Sequence, residues 1–239
     1  LAEAVRGIGD ACRSLNTPVT GGNVSLYNEN PDGAIWPTPI VGMVGKIAHP
    51  ATPVTGSFKT AGDMVYLIGG SAEHLGASEL LRWKTTKEYA PCPSCDLDAE
   101  RATIDILVEA NAQNLLKSAH DCSTGGLAVS LAESLILSEQ TLGADIDLSA
   151  LNADILVELF AETAPRVIVT VAPEHKDKFI SLCGEKGRPA HHIGDVTTTE
   201  TLNVKSATAA YQWSTSDLRT AYTSTASIFP ESEVEVPLH

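Results

Sequence analysis

Apolar residues recur along this chain with two distinct periods, and the changes of period mark its elements. At the start Leu1, Val5, Ile8, Cys12 and Leu15 follow helical spacing, closed by Asn16 and Pro18. Residues 19–27 then alternate, with Val24 and Leu26 interleaved among Asn23, Ser25 and Tyr27. That is the period of a half-buried strand with one chemical face. A second strand-like stretch, 39–48, follows the polar turn Asn28-Glu29-Asn30-Pro31-Asp32-Gly33. Residues 50–62, rich in Pro, Gly and Thr, read as a linker. Met64 through Ile68 is a continuous apolar run ending in Gly69-Gly70, the mark of a buried strand. Helical patterns recur at 73–83, 97–117, 126–137, 154–160 and 173–186. A short strand ends at His120-Asp121, and further strands are expected at 166–171 and 191–196. From Ser206 the chain is rich in Thr, Ser and Ala, with a short helix at 216–223 and a loosely held end. Strands interleaved with helices place the fold class at α/β to α+β.

With 43% hydrophobic and 19% charged residues over 239 positions, the chain can bury a substantial core. The formal net charge of −14 argues against nucleic acid or an anionic membrane as partner, because both require a basic face. A phosphorylated small molecule stays compatible, since backbone N–H groups and a cation hold an anion locally. No apolar run reaches the roughly 20 residues of a membrane span. Five cysteines, an odd number, suit a reducing cytoplasmic location better than a disulfide framework. Cys92-Pro-Ser-Cys95 lacks two further ligands at zinc spacing and reads as two loop cysteines. The first helix starts at residue one without a capping residue or an initiating Met, so a piece of a longer chain or a processed product is expected.

Three segments could carry chemistry. In Gly21-Gly22-Asn23-Val24-Ser25 the missing Cβ at Gly22 lets backbone approach a phosphate. The Asn23 carboxamide is a hard oxygen donor suited to Mg²⁺, and the Ser25 hydroxyl can donate to a substrate oxygen. Extended geometry would set Asn23 and Ser25 on one face about 7 Å apart. A glycine bulge in a half-exposed strand with both side chains solvated explains the same residues. In Ala119 through Leu127 a strand-to-helix turn offers free helix N–H groups for an anion, with Asp121 near a cation. The plainer alternative is a turn capped by Ser123 or Thr124. In Leu159 through Arg166, Glu162 could bind a ligand and Arg166 could pair with it or with a phosphate, although a solvated ion pair is the simpler reading. The seven histidines show no ligand spacing, and no phosphate-loop, dinucleotide or nucleophile-elbow motif is present.

The stretch Gly22-Asn23-Val24-Ser25-Leu26-Tyr27-Asn28-Glu29, followed by Pro37-Thr38-Pro39-Ile40-Val41-Gly42-Met43-Val44-Gly45, closely resembles the phosphoribosylformylglycinamidine synthase family of purine biosynthesis. Further stretches in that family's order run through Phe58–Gly69, Leu75–Leu81, His120–Glu133, Arg166–Val171 and Ile193–Val196, nearly the whole chain. The His120-to-Leu127 segment is shared more widely among PurM-like relatives. The resemblance implies a PurM-like arrangement: 1–60 as the end of a second N-terminal α/β domain, 61–205 as a complete C-terminal domain, and 206–239 as a tail. It implies an ATP- and Mg²⁺-dependent ligase that converts formylglycinamide ribonucleotide to formylglycinamidine ribonucleotide with glutamine-derived ammonia. Gly22 then corresponds to an ATP contact, Asn23 to a Mg²⁺ ligand and Ser25 to a contact with the ribonucleotide, with no catalytic residue in this stretch.

The family commonly has Ser where this chain has Gly21, the loss of one hydroxyl. The implied partners are the N-terminal half of the same enzyme, a glutaminase subunit and a small bridging subunit. The resemblance is to the short form of the enzyme, which takes ammonia from a separate glutaminase subunit; a chain cut at residue 239 would look the same. Two other readings stand beside it: a non-catalytic nucleotide-binding or oligomerisation module, and another PurM-like enzyme such as aminoimidazole ribonucleotide synthetase. By itself the segment lacks the positive charge and the general acid or base that ligation needs, so the isolated chain is expected to be inactive.

Overall fold

A computed structural model describes residues 1–25, 28–36, 38–46, 53–84, 91–151 and 154–224. It divides into two compact units, 1–52 and 53–239. In the first unit α1 (Ala2–Ser14) follows the helical spacing of its apolar residues, with acidic Glu3 in the first turn and Arg13 in the last. A two-residue hairpin, β1 (Glu29–Asn30) and β2 (Gly33–Ala34), turns where the polar stretch predicts. The two longer strands expected here do not form among the described residues: 19–25 and 38–46 are irregular, and Val24, Ile40 and Val44 are exposed rather than facing a core. Leu26, Tyr27, Pro37 and 47–52 lie outside the described residues. Alternation states which face of a segment is apolar but supplies no neighbour, and a strand exists only where another strand accepts its backbone hydrogen bonds.

The second unit runs β3 (Met64–Ile68), α2 (Glu79–Lys84), α3 (Leu97–Ala112), β4 (Leu116–Asp121), α4 (Gly126–Ile136), β5 (Gly143–Asp147), α5 (Ile155–Phe160) and β6 (Val167–Val171). A turn of 3₁₀ helix, α6 (Lys176–Glu185), β7 (Ala190–Thr197), β8 (Thr201–Lys205), β9 (Ala210–Ser214) and α7 (Thr215–Ser224) complete it. The strands form one sheet in the order β4-β6-β3-β7-β5-β8-β9, antiparallel except for the β5–β8 pair. On one face Val65, Leu67, Ile146, Ile168, Ile193 and Val204 pack with Leu127, Leu131 and Leu135 of α4 and Leu159 of α5. On the other, Tyr66, Ile68, Val169 and Val171 meet Ile106 of α3 and Phe179 and Leu182 of α6. Central β3 and β6 are buried on both faces, which is why their sequences are unbroken apolar runs.

Several boundaries differ from expectation for local reasons. The 97–117 helix ends at Ala112, where Asn114 takes a left-handed conformation and Leu116 opens β4. The 73–83 helix is shorter, beginning at Glu79. The supposed linker is anchored where it is described: Phe58 is in the core and its N–H donates to the Ser134 carbonyl at 2.8 Å. Strands β5, β8 and β9 escape the sequence pattern because each is only five residues long, its apolar positions alternating with Asp, Asn, Gln or Lys rather than forming an apolar run. In β7 a bulge places Ile193 and Val196, three apart, both inward, while His192 and Asp195 both face outward.

Candidate functional site

The segment singled out by sequence lies in the first unit. Gly22, Asn23 and Ser25 are all exposed, and nothing approaches within 4 Å of where a Cβ would stand on Gly21 or Gly22. The Ser25 carbonyl accepts from Asn28 Nδ2 at 2.7 Å. Gly22 backbone, a carboxamide and a hydroxyl are thus presented to solvent on irregular chain rather than on a strand. The donor types suit a magnesium-bound phosphate. One neutral carboxamide does not hold Mg²⁺ alone, and no group of three His, Cys, Asp or Glu able to hold a metal occurs among the described residues. Asn23 therefore fits a supplementary ligand whose cation is held mainly by phosphate oxygens.

The second segment is in the second unit and is closed from within. Gly125 and Gly126 both adopt positive φ, 81° and 65°, and a Cβ on Gly126 would come within 2.8 Å of the Leu159 and Ala161 carbonyls. Only glycine satisfies both demands. Neither Ser123 nor Thr124 caps α4; the Glu162 carboxylate does so instead, accepting from the Gly125 N–H at 2.9 Å. The same oxygen accepts from the Glu79 N–H at 2.8 Å, so Glu162 ties the starts of α2 and α4 together. The anion that the helix start attracts is supplied by the chain itself. Asp121 remains largely exposed, while the His120 ring donates to the Asp121 carbonyl through Nδ1 at 2.8 Å and meets Glu133 through Nε2 at 3.1 Å.

The third segment corrects the ion-pair reading. Arg166 does not pair with Glu162 in solvent but with Glu158 in the interior, at 2.8 Å, each side chain 1% exposed. It also donates to the Glu158 carbonyl at 3.0 Å, and the Glu158 carboxylate accepts from the Ala72 N–H at 3.2 Å. Sequence reasoning passed over Glu158; its signal was a single acidic residue inside the otherwise apolar Ile-Leu-Val-Glu-Leu-Phe helix.

A groove of about 800 Å³ lies over β7, β5, β8 and β9 on the face that α3 and α6 leave open. Its polar groups satisfy one another. Asn203 donates to Asp145 and accepts from Gln212, both at 2.7 Å, and His192 meets Asp195 at 3.1 Å. Asp147 is held down to about 2 by its Ser149 hydrogen bonds and the nearby Lys205.

Residues 60–206 match the model of the AIR synthase related protein C-terminal domain, and 1–47 match that of the corresponding N-terminal domain. The chain belongs to the AIR synthase related family. Among curated relatives of this AIR synthase related chain, the phosphoribosylformylglycinamidine synthase subunit PurL of Thermobifida fusca is 40% identical over 225 residues, 94% of this chain and 29% of that protein. The subunit of the same name from an Anaeromyxobacter species is 41% identical over 82% of this chain and 26% of its own. The chain thus spans less than a third of the length of these relatives. Among solved structures, Thermotoga maritima PurL complexed with FGAR superposes with a TM-score of 0.60 at 18% identity, covering 70% of this chain and 29% of that one. That likeness establishes the shared fold. Among the described residues no helix is long and apolar enough to cross a membrane.

Proposed function

We propose that this chain forms part of a phosphoribosylformylglycinamidine synthase, an ATP-dependent carbon–nitrogen ligase that converts formylglycinamide ribonucleotide to the amidine with glutamine-derived ammonia. The observation that carries this reading is the 40% identity to a PurL subunit across 94% of the chain. The exposed Gly22–Ser25 segment supports it. In this reading the Gly22 backbone lies against ATP phosphate, Asn23 gives its carboxamide oxygen to Mg²⁺, and Ser25 donates to the ribonucleotide. The bound Mg²⁺ would neutralise phosphate charge. This chain's own contribution is to position the two ligands side by side, which is the greater part of what phosphoryl-activation chemistry asks of a protein. Such positioning is incomplete without more cationic and backbone donors than 21–25 present, so the isolated chain has no turnover of its own.

The remainder of the synthase would then supply the catalytic residues, a glutaminase subunit the ammonia, and a small bridging subunit the link between them. A Thermotoga maritima assembly solved as PurLQS and a PurL complexed with ATP share the fold. A cytoplasmic setting agrees with five free thiols. The test is a chimera in which this chain replaces the matching 29% of the Thermobifida fusca subunit. ATP-dependent amidine formation by the chimera and none by the 239-residue chain alone is expected. A well-folded chimera without activity, or turnover by the chain alone, overturns the reading.

A further inference from the structure

The thiols fall into two groups by environment. Cys122 and Cys183 are buried, and burial pushes both up to about 11, so neither offers thiolate near neutral pH. Cys12 is partly covered on α1. Cys92 and Cys95 are both exposed, on the 91–96 stretch that enters α3.

The stretch runs from backbone packed close to Gly76 to the capped start of α3. The Pro91 carbonyl sits against Gly76, where a Cβ would come within 2.0 Å of it. Asp96 is the N-cap of α3, accepting from the Asp98 and Ala99 N–H groups at 3.0 Å each. Pro93, between the two cysteines, has a restricted φ. Three residue steps reach at most about 11 Å when fully extended, and a disulfide needs its Cα atoms about 4.4–6.8 Å apart. The i, i+3 spacing thus leaves closure within reach of a rearrangement confined to 92–95, and both cysteines are exposed.

We propose that Cys92 and Cys95 are a reversible dithiol–disulfide pair, an oxidation site on the loop that enters α3. With glutathione disulfide as oxidant, the thiolate of one cysteine attacks a sulfur of the disulfide and expels one glutathione thiolate. The second cysteine thiolate then attacks the mixed disulfide at the protein sulfur, forming the Cys92–Cys95 bond and expelling the second glutathione. Two protein thiols are oxidised by two electrons, their protons pass to solvent and the departing thiolates, and one glutathione disulfide becomes two glutathione molecules. The closed ring holds the approach to the Asp96 cap in one conformation. Nothing in this chemistry depends on the ligase reading.

The test incubates the 239-residue chain with glutathione disulfide, alkylates the remaining thiols and maps the peptides by mass. The expected result is a loss of about 2 Da in the peptide that spans both cysteines, reversed by dithiothreitol. Cys122 and Cys183 should take up the alkylating agent only after denaturation. In Cys92→Ser, where the resolving thiol is gone, a glutathione adduct should accumulate on Cys95. Wild-type chain that keeps both thiols free, holds a stable glutathione adduct on either, or pairs one of them with Cys12 or with another molecule overturns the proposal.

Discussion

Replacing Arg166 by Met would strand a carboxylate in the interior of the second unit. Glu158 and Arg166 are each 1% exposed and meet at 2.8 Å, and Arg166 further donates to the Glu158 carbonyl. In Arg166→Met the Glu158 carboxylate keeps the Ala72 N–H at 3.2 Å but loses its counter-charge. Breaking one side of such a pair costs about 3–5 kcal/mol, a large share of the roughly 5–15 kcal/mol that holds a domain folded. With a urea dependence of about 2 kcal/mol per molar, the midpoint should fall by roughly 1.5–2.5 M with the slope unchanged. Far-UV circular dichroism during urea titration reads this directly. The double variant Glu158→Leu with Arg166→Met removes both charges, and its midpoint should return to within about 0.5 M of the parent or exceed it. A single variant costing under about 1 kcal/mol, or a double variant no better than the single, would show that the pair is not a buried electrostatic unit.

Glu162→Ala removes the shared acceptor of the Gly125 and Glu79 N–H groups. It should cost about 1–3 kcal/mol and speed amide exchange at both positions, with Glu162→Gln restoring part of the protection through its carbonyl oxygen; unchanged exchange at Gly125 would refute the link. Asp63 is buried with Oδ2 unpartnered, and burial lifts its carboxyl above the ordinary value. The folded state therefore holds that proton more tightly than the unfolded state, so the stability it contributes is present at acid pH and lost as pH rises through the lifted value. Asp63→Asn should melt higher than the parent at about pH 7.5 and show no advantage at about pH 3; an equal gain at both would locate the effect elsewhere.

Much of the second unit was legible because its physics is local. Residues 166–171 read as a strand from their apolar run, and the apolar stripe of Leu127, Leu131 and Leu135 marks the side of α4 that faces the sheet. Strands β5, β8 and β9 were not legible, since residues such as Asp145 and Asn203 gain their partners only across strands. Glu162 was noticed as an acidic loop residue, but its role depends on two helix starts that lie 37 and 83 positions away in sequence. The 19–27 stretch shows the opposite failure. Its alternation is real, yet Val24 is 72% exposed and no described strand pairs with it. The chemical identity of Asn23 and Ser25 was readable from sequence, whereas the backbone that presents them depends on neighbours a local pattern does not contain.

The roles proposed for Asn23 and Ser25, serving a magnesium-nucleotide and a ribonucleotide side by side, are open to direct measurement. Steady-state kinetics of the active chimera carrying Asn23→Ala or Ser25→Ala, with Mg²⁺ and the ribonucleotide titrated separately, tests them most directly. Loss of a contact to a charged ligand should lower kcat/KM by roughly 10–100-fold, with Asn23→Ala shifting the Mg²⁺ requirement and Ser25→Ala the ribonucleotide KM. Wild-type kinetics in both variants would contradict the account.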